Sequence, residues 1–204
     1  MSTYKIPEIP KAGFLRAVKP LYDVLEDKKK PTGGDDVFLK AIMAAHTGMT
    51  PEQWAAAEAA RRHQKVLEMK MGDFHEEILG LFAGYRNLPL GHDSGCDVMK
   101  EDGSQFLEVK NRDNTMNSGS AESVVRKLTA LADAGKQAIL VLINCKAKKA
   151  PRFKAPESVG VLTGREAYAK LSGRETFFDD LNATLSWCFA TYKTHAELSA
   201  ALSA

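Results

Sequence analysis

Several features that this sequence lacks exclude whole classes of protein. No apolar run approaches the ~20 residues that a membrane-spanning helix needs, and the opening MSTYKIPEIPKAG lacks the apolar segment of a signal peptide. The three cysteines, Cys96, Cys145 and Cys188, lie far apart among apolar residues. We therefore expect free thiols in a reducing, cytoplasmic setting, with neither a disulfide framework nor a cysteine metal site.

An excess of charge of one sign is also missing. The 28 Lys and Arg residues nearly balance the 26 Asp and Glu residues, which leaves a net charge of +2. This balance says little about partners, because a DNA-binding protein of this size needs only a local basic face. The 204 residues, 44% of them hydrophobic, suffice for one globular domain with a real core, and no internal repeat interrupts them.

Residues 95–112, GCDVMKEDGSQFLEVKNR, combine two short apolar runs with converging charges. The polar turn between the runs, centred on Asp102-Gly103, is typical of a β-hairpin. Side chains alternate along strands, so Asp97 projects from the first strand, and Glu108 and Lys110 project from one face of the second. Two carboxylates held on strands suit Mg²⁺, and a neighbouring lysine can hold a water molecule. We interpret the stretch as a site for phosphodiester hydrolysis; the competing interpretation is a surface ion-pair cluster.

The residues before the hairpin predict helices. One helix is expected over residues 13–26 and another from Asp35 or Asp36 to about residue 46. The sequence TPEQ at residues 50–53 is a capping box with proline at the first helical position, so an alanine-rich helix follows. Gly72 is predicted to end that helix. Asp73 and Glu76 then form a second capping box that begins a helix ending near residue 82.

The residues after the hairpin predict further strands and helices in alternation. A helix is expected over residues 120–134, a buried strand over 138–144, a second strand over 159–162, and helices near 165–172, 179–192 and 195–204. A strand–helix–strand crossover implies a mixed sheet with flanking helices, so the fold class is α/β (α+β mixed). We divide the chain into a helical N-terminal region, 1–71, packed on a core, 72–204, that includes the C-terminal helices, together forming one structural domain.

Two levels of resemblance follow from these residues. Asp97, followed eleven positions later by Glu108-Val109-Lys110, resembles the PD-(D/E)xK nuclease superfamily, although Cys96 stands where a proline often precedes the first acid. The segments GDFHEEILG, GCDV and FLEVKNRDNTMNSGSAESVVRKL resemble type II restriction endonucleases that cut GGNCC-type sites. The similarity covers roughly residues 72–130, with weaker agreement in the order of elements to about residue 165.

The resemblance implies a fold, an activity and partners. The fold would be a restriction-endonuclease-like core, a central mixed β-sheet flanked by helices, with a helical N-terminal region. The activity would be Mg²⁺-dependent, sequence-specific cleavage of double-stranded DNA that leaves 5′-phosphate ends. A palindromic target and one site per chain ask for a homodimer, and a cognate DNA methyltransferase would be the genetic partner.

The resemblance also implies roles for individual residues. Asp97, Glu108 and the Val109 carbonyl would bind the metal, and Lys110 would orient the attacking water. In the superfamily, a glutamate on the helix before the hairpin often supports the metal site. Glu77 or Glu76 would take that role, and we prefer Glu77, because the predicted capping box already uses Glu76.

The polar run after Lys110 is the candidate DNA-contacting segment, because Asn and Arg side chains suit bidentate contacts to bases or phosphates. The candidate residues are Asn111, Arg112, Asn114, Asn117, Ser120, Arg126 and Lys127. The alternatives are a merely flexible loop for the run and solvated helix positions for the last two residues. His75 and His92 lie nearby, and we favour core or loop positions for them over a role as catalytic base.

Two alternatives to restriction remain at this point. The first is a nuclease of the same fold that serves DNA repair, junction resolution or cleavage dependent on modified bases. A non-catalytic DNA-binding protein would carry a decayed site, which the intact pair of acids and the lysine argue against.

Overall fold

The structure, a computed structural model, describes residues 3–26, 34–112, 116–146 and 153–203. These residues form, in chain order, α1 (Lys11–Glu26), α2 (Val37–Thr47), α3 (Pro51–Gly80), β1 (Tyr85–Asn87), β2 (Val98–Lys100), β3 (Gln105–Lys110), α4 (Ser118–Asp133), β4 (Gln137–Leu142), β5 (Gly160–Thr163), α5 (Gly164–Ser172), α6 (Phe177–Thr191) and α7 (His195–Ser203). The predicted mixed class, a central sheet flanked by helices in a restriction-endonuclease-like arrangement, is confirmed.

The five strands of the described residues form one mixed sheet in the order β1-β2-β3-β4-β5. The pairs β1–β2 and β2–β3 are antiparallel, and β3–β4 and β4–β5 are parallel. The predicted hairpin is therefore β2–β3, with Met99 opposite Phe106. Helix α4 makes the predicted crossover from β3 to β4. Strand β3 thus occupies the centre of the sheet, where both of its neighbours hold it in place.

Alternating side chains divide the core into two layers. On one face, Val98, Leu107, Val109, Ile139 and Val141 share a cluster with buried residues of α1, α3, α5, α6 and α7. On the other face, Met99, Phe106, Leu140 and Leu142 share a cluster with Val124 and Leu128 of α4. Each face is therefore covered by helices, and β3 lies between α3 on one side and α4 on the other.

Helix α3 contradicts the predicted break at Gly72. The helix runs unbroken for 30 residues, from Pro51 to Gly80, and its Thr50 capping box is present as predicted. The second capping box is wrong, because Asp73 lies inside the helix and pairs with Lys70 at 2.7 Å. A glycine in a helix interior costs only about 1 kcal/mol, which the apolar packing of the flanking turns offsets. The division proposed between residues 71 and 72 lies within this helix, and the single-domain interpretation stays a prediction.

Strand β1 was not expected from the sequence. Its three residues, Tyr85–Asn87, are too few to show an alternating pattern. Pairing with β2 fixes them, with Tyr85 opposite Lys100, and the Tyr85 hydroxyl donates to Gln105 Oε1 at 2.6 Å. The edge of the sheet is therefore defined by a tertiary contact.

Disulfide bonds and membrane-spanning helices were both expected to be absent, and the described residues can be inspected for each. The three cysteines, all of which lie in the described ranges, form no disulfide. Among the helices of these ranges, none combines the length and apolar character needed to cross a membrane.

Two glycine substitutions test the helices: Gly72→Ala tests the continuity of α3, and Gly164→Ala tests the close approach of the start of α5 to Ile143. Nothing lies within 4 Å of a Cβ built on Gly72, so Gly72→Ala should raise the free energy of unfolding by about 0.5–1 kcal/mol. A Cβ on Gly164 would lie 2.5 Å from the Ile143 carbonyl oxygen, so Gly164→Ala should lower it by about 1–3 kcal/mol. Urea unfolding measures both effects, and a destabilising Gly72→Ala would contradict the unbroken helix.

Candidate active site

Backbone and side chain together hold Asp97 against β3. The Asp97 residue immediately precedes β2, and its N–H donates to the Leu107 carbonyl at 3.1 Å. Its Oδ2 atom accepts the N–H of Val109 at 2.7 Å. The first acid is therefore fixed beside the second half of β3, next to Glu108, as the hairpin register predicts.

Glu108 is a buried carboxylate between two ammonium groups. Only 2% of the residue is exposed. Its Oε1 atom lies 2.6 Å from Lys110 Nζ, and its Oε2 atom pairs with Lys127 of α4. The Lys127 ammonium also donates to the Gly95 carbonyl. Lys127, expected at a DNA phosphate, thus lies within the acidic cluster and links α4 to the residues that lead into Asp97.

Three oxygens converge on one cationic position. Lys110 Nζ lies 2.6 Å from Glu108 Oε1 and 3.9 Å from Asp97 Oδ2, and it donates to the Val109 carbonyl at 2.9 Å. These are the three oxygens predicted to bind a metal, and carboxylate and carbonyl oxygens are the ligands that Mg²⁺ accepts, with water completing the shell. No group of three or more His, Cys, Asp or Glu side chains with metal-binding geometry occurs in the described ranges. The fit to a divalent cation therefore depends on the Val109 carbonyl as third oxygen.

The charges of the cluster shift one another's pKa values. Burial raises the pKa of Asp97, the Glu108 charge raises it further, and Lys110 and the Val109 N–H oppose the shift. Burial disfavours the charged form of Lys110, but the Glu108 and Asp97 carboxylates outweigh it and raise the Lys110 pKa above its usual value. Lys110 is therefore a protonated hydrogen-bond donor, which suits orienting a water molecule and does not suit accepting a proton.

Glu76 and Glu77 of α3 differ in their environments. Glu77 is exposed, whereas Glu76 is half-buried. Burial raises the Glu76 pKa to about 7, the Asp97 charge adds to the shift, and Lys110 opposes it. Both glutamates line a cavity of about 410 Å³, bordered by α1, α3 and the loop before β2, which Asp97 also reaches. The predicted capping role of Glu76, on which the preference for Glu77 depended, is wrong, because no cap exists at that point of α3.

The residues directly after β3 contact α3 and the end of β4. The Asn111 side chain accepts the Asn144 amide at 2.7 Å, and Arg112 pairs with Glu68 of α3 at 3.2 Å. Asn114 lies outside the described residues. Contact of this segment with DNA stays a prediction.

The predicted DNA-contacting residues of α4 have three different positions. Asn117 is the N-cap, and its Oδ1 accepts the Ser120 N–H at 2.9 Å. Arg126 is exposed on the side of the helix away from the sheet. Of these residues, Lys127 alone contacts the acidic cluster, so its position differs from those of Asn117 and Arg126.

The two nearby histidines occupy structural positions. His75 is buried, and its Nδ1 atom lies 2.9 Å from the Tyr168 hydroxyl; burial lowers its pKa to about 4. In the loop before β2, His92 Nδ1 lies 2.8 Å from Ser94 Oγ. The favoured interpretation, a core histidine and a loop histidine, fits both positions.

Comparison with known proteins assigns this geometry to a family. Residues 36–181, more than half of the chain, match the family described as Eco47II restriction endonuclease. The chain belongs to this family. The predicted resemblance to PD-(D/E)xK-like type II restriction endonucleases is thereby confirmed.

Two relatives show how much of each chain the sequence similarity covers. The type II restriction enzyme Sau96I of Staphylococcus aureus is 28% identical over 165 residues, covering 72% of this chain and 62% of the relative. The type II restriction enzyme Eco47II of Escherichia coli is 23% identical over 184 residues, covering 78% of this chain and 76% of the relative. The chain thus spans less than two thirds of the length of Sau96I.

Sequence reasoning missed two charged residues of the site in this family member. Glu76 was ranked below Glu77 because a capping motif matched by chance inside a longer helix. Lys127 was assigned to solvent or phosphate, although it flanks the buried Val124 and Leu128 positions of α4, whereas Arg126 lies opposite them. The position of Lys127 beside the apolar stripe was the signal that favoured an inward-facing lysine.

The raised pKa of Glu76 predicts a pH-dependent effect of Glu76→Gln on stability in metal-free buffer. The Glu76 pKa lies near 7 in the folded chain, against an ordinary value of 4.5, so folding takes up a proton between these pH values and stability falls as pH rises. Glutamine removes this contribution. The variant should match the native chain below pH 4.5, gain stability relative to it as pH rises, and keep a constant advantage above pH 7.

Denaturant unfolding between pH 4 and pH 8 measures the difference. Glu77→Gln is the matched control for loss of a carboxylate, because Glu77 is exposed on the same helix turn. A pH-independent difference for Glu76→Gln would contradict the raised pKa.

Proposed function

We propose that this chain is a type II restriction endonuclease, which cleaves both strands of DNA by Mg²⁺-dependent hydrolysis and leaves 5′-phosphate ends. The observation that carries the proposal is the convergence of Asp97, Glu108 and the Val109 carbonyl on one cationic position. Membership of a restriction endonuclease family supplies the substrate class. We further propose a GGNCC-like palindrome as target, on the sequence resemblance alone.

The chain's own residues divide the work of hydrolysis. Asp97, Glu108 and the Val109 carbonyl would hold the divalent cation, which would place positive charge beside the scissile phosphate. Lys110, kept protonated by the two carboxylates, would orient the attacking water and donate to the phosphoryl oxygens as negative charge develops. Asp97 is held by the Val109 N–H, so the first acid and the carbonyl keep a fixed relation.

We assign the supporting acid on α3 to Glu76 in place of Glu77. Its half-buried position and the influence of the Asp97 and Lys110 charges on its pKa support this assignment. A carboxyl that titrates near neutral pH can accept or release a proton at a water molecule in the cavity.

The DNA-facing side would include the segment after β3. Asn111 and Arg112 directly follow Lys110, and Asn117, Ser120 and Arg126 extend the polar surface onto α4. Asn114, which lies outside the described residues, is assigned to the same side from the sequence alone. Cutting both strands of a two-fold symmetric target with one site per chain requires a homodimer. A cognate DNA methyltransferase would protect the host's own sites.

Cleavage of plasmid DNA in Mg²⁺ tests the proposal. The native chain should give a discrete set of fragments, and Glu108→Gln should lower the single-turnover rate by at least about 10³-fold, since one of the two acids is lost. Glu101→Gln, an exposed glutamate in the β2–β3 turn, is the matched control and should cut normally. Structure-dependent nicking without a fragment pattern would favour a repair or junction-resolving role, and undiminished cutting by Glu108→Gln would overturn the site assignment.

The position of Lys127 predicts that it matters more to the chemical step than to DNA affinity. Lys127→Met removes the partner of Glu108 Oε2 and of the Gly95 carbonyl. By analogy with groups that orient metal ligands, we expect a loss on the order of 10–100-fold in single-turnover rate. Affinity for DNA, measured by fluorescence anisotropy in Ca²⁺, should change little.

Arg126→Met is the matched control for this prediction. Arg126 is exposed and lies away from the cluster, so the control should leave the rate at saturating enzyme unchanged and affect at most the salt dependence of DNA binding. Equal losses in rate for the two variants would contradict a specific role for Lys127.

A further inference from the structure

Helix α2 is an apolar helix with no buried residue. Val37, Phe38 and Ile42 are 65%, 80% and 62% exposed, and Leu39 is 42% exposed. The core lies elsewhere, under α1, α3 and α5–α7. The sequence VFLKAIMAAHT therefore presents several large apolar side chains to solvent on one short helix.

The apolar surface continues onto α3. The Arg62 guanidinium donates to the Gly34 carbonyl at 2.9 Å and pairs with Asp35, so the start of α2 lies beside Arg62. Val66 and Met69, which are 45% and 62% exposed, follow one and two turns later on the same side of α3. We call these six residues the α2 patch: Val37, Phe38, Leu39, Ile42, Val66 and Met69.

An uncovered helix of this kind is marginal in water. Isolated helices shorter than about 12–15 residues gain too little to form alone, and α2 has 11 residues. Its ends are well capped, by the Asp36 side chain and by Gly48 in a left-handed conformation, but caps contribute only about 1 kcal/mol each. The helix needs a covering surface to supply the rest of its stability.

The charge of the patch disfavours DNA as that cover. The only lysine of α2, Lys40, lies 3.9 Å from Asp35, and acidic and basic residues alternate at the margin, where Glu58 pairs with Arg61 and Arg62. A margin with both signs does not attract a polyanion. It does suit a copy of itself, because charges that are already paired within each chain do not set like charges against one another across a two-fold axis.

We propose that the α2 patch is the surface through which two copies of this chain form a two-fold dimer. The inference rests on the proposed function, since one catalytic centre per chain must act on both strands of a symmetric target. The six side chains expose on the order of 500 Å² of apolar surface, the upper range for a monomer's largest patch. Counted on both copies, the total of roughly 1,000 Å² reaches the lower limit of a specific interface before polar contacts are added.

The family comparison and the course of α3 agree with this role. The family match begins at residue 36, the N-cap of α2, so the patch lies within the segment that the family shares. Glu68, between Val66 and Met69 in sequence, pairs with Arg112, and its carbonyl accepts the Asn111 amide at 3.5 Å. The stretch of α3 that bears Val66 and Met69 therefore also holds the segment following Lys110, through a different side of the helix.

Sedimentation velocity of the full chain without DNA, at micromolar concentration, tests the proposal. The native chain and Leu25→Glu, which changes an exposed apolar residue of α1 outside the patch, should be dimers. The double variant Phe38→Glu/Ile42→Glu should be monomeric, with at least tenfold weaker association, and its helical circular dichroism signal should fall by no more than the 11 residues of α2 contribute. A monomeric native chain, a dimer that forms only on DNA, or a double variant that remains dimeric would each overturn the inference.

A second measurement separates this inference from the proposed function. Glu108→Gln should remain a dimer while losing cleavage, because Glu108 is buried on β3 and is not part of the patch. On a supercoiled plasmid, the monomeric double variant should produce nicked circles and little linear product. Dimerisation through α2 without any DNA cleavage by the native chain would refute the proposed function alone, and cleavage by a native monomer would refute the dimer alone.

Discussion

The need to compensate the buried charge of Glu108 governs the arrangement of the site. A carboxylate that is 2% exposed on the central strand costs several kcal/mol unless it is paired. Lys110 on the same strand and Lys127 from α4 supply this pairing, one on each oxygen. Asp97, which immediately precedes β2, adds a second negative charge, and the Val109 N–H of β3 holds its carboxylate in place. Strand, hairpin partner and crossover helix must therefore all be in place before Glu108 can be buried as an ion.

The same balance of positive and negative charges bears on the proposed metal site. Two carboxylates and two ammonium groups nearly neutralise one another. The Lys110 ammonium faces three oxygens, those of Glu108, Asp97 and the Val109 carbonyl, whereas the Lys127 ammonium contacts Glu108 and the Gly95 carbonyl. Under the proposed function, Asp97, Glu108 and the Val109 carbonyl would hold a divalent cation that supplies positive charge, and Lys110 would be available to donate toward the substrate. Lys127 would stay and keep Glu108 in position.

Local patterns predicted much of the fold and the centre of the site. Asp102-Gly103 fixed the turn, and the alternation along β3 predicted that Glu108 and Lys110 share a face, as their 2.6 Å contact requires. The apolar run of β4 and the helices that follow were also predictable, because burial on both faces leaves a continuous hydrophobic signal. The parts that escaped depend on distant contacts: β1 exists through its pairing with β2, and the helix over Gly72 continues because flanking turns pack on the core. Lys127 reaches Glu108 only once α4 crosses the sheet.

Because α3 is unbroken, its length fixes the spacing between the residues near its middle and those near its end. The helix bears Val66 and Met69 near its middle and Glu76 near its end, so a rigid rod connects the proposed dimer axis to the catalytic groups. Inserting one residue between these points would turn one end about 100° relative to the other and shift it by about 1.5 Å. The distance between the two cleaved phosphodiester bonds on a duplex, and hence the length of the overhang, would then depend on the number of residues in α3.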